Sequence, residues 1–263
     1  MQQLTKIDKK TGKKYIINVP SWNDYVVNVN ALATDTTSTS GSDTSGGSIV
    51  PPSPSFGTRT ALGTAVSQVL DTTLTMSGIT VSAGNSIIVM SGQSASPVVL
   101  ITTASWGSTN LTRDIRQTGF AGVGSIEIWS AHGVVGGTNT ITITYASNTT
   151  GGKGMIASEV YGITSTDVSA SVATFSGLPS SGPSPTSSVA NEYLCGCIIH
   201  NTPTAYSWNP SFIDGQSIQL FSGPSFPTIF EGYGVVSNTG SYTASWTTSS
   251  LGGLWIAALV TYK

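Results

Sequence analysis

Residues 133–161 are written twice. Shifted by 101 positions without a gap, they fall on residues 234–262. Gly133-Val134-Val135 meets Gly234-Val235-Val236, Thr138 meets Thr239 and Thr142 meets Thr243. Gly151-Gly152 meets Gly252-Gly253, Ala157 meets Ala258 and Tyr161 meets Tyr262, giving nine identities in 29 positions. Tyr145 against Trp246 and Met155 against Ile256 are like-for-like exchanges, and Trp106 with Trp208, 102 apart, extends the match upstream. Each copy reads as two strands. One alternates threonine or serine with larger side chains (140–145; 241–246); the other is nearly all apolar (155–161; 254–262). Such a repeat points to a β protein made of two similar halves.

The rest of the body agrees. With 30 glycines, 12 prolines and β-branched alternation, the chain predicts many short strands joined by tight turns. Strands are expected at 65–70, 72–76, 86–91, 98–103, 111–117, 125–132, 140–145 and 155–161, then at 168–175, 193–199, 218–221, 228–236, 242–246 and 254–262. The halves are expected to meet in the Ser/Pro/Gly loop at 177–185. The expected fold is all-β: an antiparallel β-sandwich, Greek-key or jelly-roll-like, over 58–263. A single sandwich and two smaller ones both fit the strand count.

Two blocks precede the body. Residues 1–33 form an N-terminal arm: a hairpin of 4–8 and 13–19 around Lys9-Lys10-Thr11-Gly12, then a short amphipathic segment carrying Trp22, Tyr25 and Val26. An isolated two-stranded hairpin is marginal in water, so the arm needs a surface to rest on. Lys6, Lys9, Lys10, Lys13 and Lys14 are half of the ten basic residues; with Asp8 they give the first fourteen positions a charge of +4 and leave the remainder at −6. Lys6, Lys9, Lys10, Lys13, Lys14, Tyr15, Ile17, Trp22, Tyr25 and Val26 are therefore the candidate docking residues. Residues 34–57, rich in Ser, Thr, Gly and Pro, read as a linker.

Chemistry is scarce. Nucleophile-elbow, phosphate-loop, H-E-x-x-H and calcium-loop patterns are absent from the sequence, so no catalytic residue, metal site or cofactor is expected. His132 and His200 are the two candidate bases, and strand-end histidines are usually solvent-edge residues. Glu127 and Glu159 would face each other if their strands paired, with Glu231 in a similar place in the second half; as a glycosidase pair they lack a nearby aromatic groove. Cys195 and Cys197 share a strand face and read as buried, reduced side chains. The terminal lysines alone do not make a nucleic-acid surface. No stretch is apolar for the roughly 18 residues of a membrane helix, and the start lacks the apolar core of a signal peptide. The expectation is no nucleic acid, no membrane and no export by that route.

Several runs resemble β-sandwich domains of tailed-bacteriophage virion proteins. They are Ala83-Gly84-Asn85-Ser86-Ile87-Ile88-Val89, Ile126-Glu127-Ile128-Trp129-Ser130-Ala131, Gly137-Thr138-Asn139-Thr140-Ile141-Thr142-Ile143-Thr144, Ala157-Ser158-Glu159-Val160-Tyr161-Gly162 and Ala257-Ala258-Leu259-Val260-Thr261-Tyr262-Lys263. Glu159-Val160-Tyr161 departs from the adjacent Glu-Tyr pair of such proteins. The resemblance spans about 60–263 and carries no catalytic residues. It implies a capsid decoration (cement) protein: a trimer on the outer capsid surface of a virion, made in the host cytoplasm, with the major capsid protein as partner. The alternative is a fibre or adhesion module binding host glycans through sandwich loops, with Trp106, Trp208 and Trp246 as stacking platforms.

Overall fold

A computed structural model describes residues 54–94, 97–119, 123–148, 151–174, 177–201, 206–221, 227–248 and 253–263, together with the strands at 2–7 and 14–19. Among the described residues every element is a β-strand and every strand pairing is antiparallel. The chain divides into two compact units, Met1–Pro51 and Pro52–Lys263. In the first, β1 (Gln2–Ile7) pairs with β2 (Lys14–Val19) as a two-stranded sheet, with Gln2 opposite Val19 and Ile7 opposite Lys14. The two strands of the expected hairpin are paired, and its turn, 8–13, lies outside the described residues.

The second unit is the body, and its first half contributes two sheets. The inner one has the order β3-β11-β5-β9-β8: β3 (Arg59–Ser67), β11 (Lys153–Val160), β5 (Ser86–Gln93), β9 (Ser125–Ala131) and β8 (Thr112–Thr118). The outer one has the order β4-β10-β6-β7: β4 (Thr73–Val81), β10 (Gly137–Tyr145), β6 (Ile101–Trp106) and β7 (Thr109–Asn110). The second half repeats the inner sheet as β12-β18-β13-β16-β15: β12 (Thr166–Thr174), β18 (Trp255–Tyr262), β13 (Glu192–His200), β16 (Thr228–Val236) and β15 (Ile213–Gln219). Its outer layer holds β14 (Tyr206–Trp208) paired with β17 (Trp246–Thr248).

The repetition extends to register. Lys153 of β11 pairs with Ser67 and Gln93, and Val160 with Arg59 and Ser86. In β18, Trp255 pairs with Thr174 and His200, and Tyr262 with Thr166 and Tyr193. Gln93 then pairs with Ser125 as His200 does with Thr228. The two inner sheets thus correspond strand for strand, with β3 equivalent to β12, β11 to β18, β5 to β13, β9 to β16 and β8 to β15. The true offset in the last strand is 102, since 153–160 matches 255–262. The ungapped shift of 101 is corrected here. It aligns Ala157, which faces the first outer sheet, with Ala258, which faces the opposite way. A one-residue slip reverses every side chain of a strand.

Three cores separate four layers. The first lies between the first half's sheets, with Ile87, Val89, Trp106, Trp129, Ile141, Ile143 and Met155. The second joins the two inner sheets, with Ile88, Met90, Ile126, Ile128 and Ile156 against Tyr193, Cys195, Cys197, Ile199, Ile256 and Val260. The third lies between the second inner sheet and its outer layer, with Leu194, Trp208, Phe212, Phe230, Trp246 and Trp255. β11, β13 and β18 are buried along their full length because both of their faces are covered. That is why their sequences are nearly continuous apolar runs.

Across the middle, β3 lies against β15 and β8 against β12. Since β3 is equivalent to β12 and β8 to β15, the contact is reciprocal, like the isologous interface of a two-fold dimer. The fold is therefore a pair of sandwiches joined back to back. The crossing from one half to the other falls between β11 and β12, ahead of residues 177–185. That loop lies within the second half, as part of its outer layer. The linker's last residues belong to the body: the Gly57 N–H donates to the Tyr161 carbonyl at 2.9 Å, and Phe56 packs against the middle core.

Candidate functional site

In the arm, Lys6 is the register partner of Tyr15, Leu4 of Ile17 and Ile7 of Lys14. Four of the ten candidate docking residues are thus on the two strands. Lys9, Lys10, Lys13, Trp22, Tyr25 and Val26 lie outside the described residues.

In the body, the residues that could carry chemistry are committed to structure. Glu127 and Glu159 do not form a pair: β5 runs between their strands, and their partners on it, Ser91 and Ile87, are four residues apart. Glu127 is fully buried and holds Arg116 at 2.9 Å. Burial pushes its carboxyl up, while Arg116, the Ile101 N–H and Arg113 pull it back. Glu159 accepts from the Ser82 N–H (2.8 Å) and Asn85 Nδ2 (2.6 Å), fixing the turn between β4 and β5.

Glu231 points into the middle. It forms an ion pair with Arg59 of the first half and accepts from the Ser158 hydroxyl (2.7 Å) and the Gln216 N–H (3.0 Å). Arg59 also lies over the Tyr233 ring, 4.6 Å from its centroid. This cluster ties the two halves at one edge. At the other edge, Asp114 accepts from Thr166 Oγ1 and the Tyr262 hydroxyl, both at 2.8 Å.

His132 touches two hydroxyls, Ser86 at Nδ1 (3.0 Å) and Ser130 at Nε2 (3.2 Å). The buried Ser86 gives its proton to the Ile163 carbonyl at 2.9 Å, so its oxygen is a hydrogen-bond acceptor for the imidazole and not an activated nucleophile. Burial lowers the His132 pKa. Cys195 and Cys197 are free and buried in the middle core, and burial raises both thiols well above the ordinary value. No group of three metal-ligating side chains occurs among the described residues.

The remaining charges are spent in the same way. Residues 54–263 contain five basic and eight acidic side chains. Lys153 pairs with Asp71, Lys263 with Asp167, and Asp214 accepts from the Tyr206 hydroxyl (3.0 Å) and Trp208 Nε1 (3.2 Å). Arg113 covers Trp129, 5.6 Å from its ring centroid, and Glu192 sits against Asp167. All thirteen are held in contacts within the body. What faces solvent on the first outer sheet is hydroxyl-rich: Thr73, Thr75, Ser77 and Thr80 of β4, and Thr138 of β10, are exposed.

A shallow hollow of about 200 Å³ is lined by Tyr206, Ser207, Trp208, Phe212 and Asp214. Its indole is not an open stacking platform. Phe212 stacks on Trp208 at 5.5 Å, and Gly232 lies against the ring so closely that an added Cβ would come within 2.8 Å. Trp106 and Trp246 are likewise core residues, 2% and 3% exposed. No known protein family, curated protein or solved structure matches the chain.

Proposed function

We propose that this is a structural virion protein that decorates and stabilises a phage capsid, anchored by its N-terminal arm to the major capsid protein and displaying the β body outward. The observation that carries this reading is the division of charge between the two units. Half of the basic residues lie in the first fourteen positions, whereas the charged side chains of 54–263 are all engaged internally. A body whose charges are paired within itself, and whose first outer sheet presents hydroxyls, packs beside many identical copies with little electrostatic repulsion. Attachment then falls to the arm, and a homotrimer at a local symmetry axis of the shell is the assembly proposed.

The test is co-sedimentation with purified capsids. The full chain is expected to bind, and a chain lacking residues 1–33 to stay in the supernatant while keeping its strand-rich circular dichroism. A full-length variant with Lys6, Lys9, Lys10, Lys13 and Lys14 changed to Glu is expected to bind weakly and to lose the salt sensitivity of binding. Equal binding by all three proteins, or by none, would sink the proposal.

A further inference from the structure

At one end of the second inner sheet, three segments bring two carboxyl groups and an ammonium together. Asp167 lies at the start of β12, Glu192 opens β13, and Lys263 follows β18, whose Tyr262 is the register partner of both Thr166 and Tyr193. The Asp167 side chain is 4% exposed and accepts from Lys263 Nζ (2.8 Å), the Ser188 N–H (2.6 Å) and the Ser188 hydroxyl. Glu192 beside it is fully buried, and neither of its carboxyl oxygens receives a donor. The Thr261 and Ser187 hydroxyls are its other polar neighbours, and both act to lower its pKa, against burial and Asp167. Tyr242 of the outer layer also feels the Glu192 charge, and Val236, the register partner of Glu192 on β16, is apolar.

A buried carboxylate with no donor, set against a second carboxylate, is strongly disfavoured. A carboxyl that keeps its proton becomes a donor, and Asp167 is the acceptor in reach. We propose that the Asp167–Glu192 pair is a proton-locked clasp that holds the edge strand β12 and the 187–188 segment to the end of the second inner sheet, and that it loosens when the shared proton is lost. Burial and then Asp167 push the Glu192 group up to about 7. For Asp167, burial works upward, but hydrogen bonds from Glu192, Lys263 and Ser188 outweigh it and hold the group below the usual carboxylate range.

The sign follows from the bound proton. Between the ordinary glutamate value and about 7, the folded chain keeps a proton that the unfolded chain releases. The stabilisation is complete below that window and is lost as pH rises through it, by up to about tenfold in the folding constant per pH unit. The equivalent places in the first half, Thr60 and Asn85, have no ionisable side chain, so the device belongs to the second half alone.

Thermal unfolding of the full chain between pH 5 and 8.5 tests it. The wild type is expected to lose melting temperature as pH rises toward 7, and Glu192→Gln to show a flatter profile and match or exceed the wild type at pH 8. The same slope in both proteins would overturn the proposal. Should Glu192→Gln not fold, carbon NMR titration of the wild-type Glu192 carboxyl decides: a midpoint near 7 supports the clasp, and one in the ordinary carboxylate range refutes it.

Discussion

The two halves share an inner sheet and differ in what covers it. Over the first lies a regular four-stranded sheet; over the second, two three-residue strands and a serine–proline segment. The volume between layers has been exchanged. On β5 and β9, Val89 and Trp129 are register partners facing the first outer sheet. Their equivalents on β13 and β16 are Gly196 and Gly232, also partners. There the space is filled from the opposite side: a Cβ on Gly196 would meet Phe212 at 2.9 Å, and one on Gly232 would meet Trp208 at 2.8 Å. Trp246 then gathers Tyr206 and Phe230, with centroids at 4.5 and 4.8 Å. Aromatic rings reaching in from the cover replace bulk on the sheet, so similar inner sheets tolerate unlike partners.

The most damaging change should be one that separates the halves. Glu231→Ala leaves Arg59, 9% exposed at its side chain, as an uncompensated buried cation. Loss of one partner of such a pair costs about 3–5 kcal/mol. Urea unfolding followed by both fluorescence and circular dichroism measures it. If the halves are one cooperative unit, both probes report the same lowered midpoint; two separated transitions would mean that each half stands alone.

The exchange of volume is itself breakable in both directions. Trp129→Ala empties the first half's core and should cost about 3–5 kcal/mol as a cavity. Gly232→Ala adds a methyl group where Trp208 already sits and should cost about 1–3 kcal/mol as overpacking. The pairing Gly232→Ala with Trp208→Phe should recover part of that loss. Denaturant midpoints of the three single variants and the pair decide this. A harmless Gly232→Ala would mean that the indole, not the glycine, sets the spacing.

Much of this was legible. Threonine alternation at 140–145 announced β10, because a half-exposed strand alternates, whereas of the matching run 241–246 only Trp246 lies on a strand, β17. The apolar runs at 86–91, 155–161, 193–199 and 254–262 marked the inner strands. Those runs also held an unread message: strands buried on both faces require a layer on each side, hence more than two layers. The repeat pointed to the right architecture through a partly wrong alignment, since glycine-rich turns favoured an ungapped shift that the strand faces do not obey. The sequence predicts a strand at 65–70, yet β3 runs over Arg59–Ser67 and ends before the apolar Val69 and Leu70, which lie exposed beyond it. The roles of Glu127, Glu159 and Glu231 were not readable, as their partners come from strands far away in sequence. The arm's docking residues were singled out by charge and spacing alone.

The smallest effect probes the strangest part of the second cover. Prolines 179, 183 and 185 lack the N–H that a ladder needs, so residues 178–187 cannot copy β4. Instead every third residue pairs with residues 240–244. Ser181, Ser184 and Ser187 donate their N–H groups to the carbonyls of Ala244, Tyr242 and Gly240, at 2.9, 2.8 and 2.8 Å. Each serine oxygen then accepts the N–H of the same partner, at 3.0, 3.0 and 3.1 Å. A period of three is that of polyproline II, and the hydroxyls supply the acceptors that a neighbouring strand would have offered. Ser184→Ala should therefore cost about 1–3 kcal/mol by stranding the Tyr242 N–H, whereas Thr75→Ala, at an exposed position on the equivalent strand β4, should change stability by under about 0.5 kcal/mol. Hydrogen exchange at Tyr242 should accelerate in the first variant and not in the second. If both variants behave alike, the serines are surface decoration and the second cover is held by its aromatic core alone.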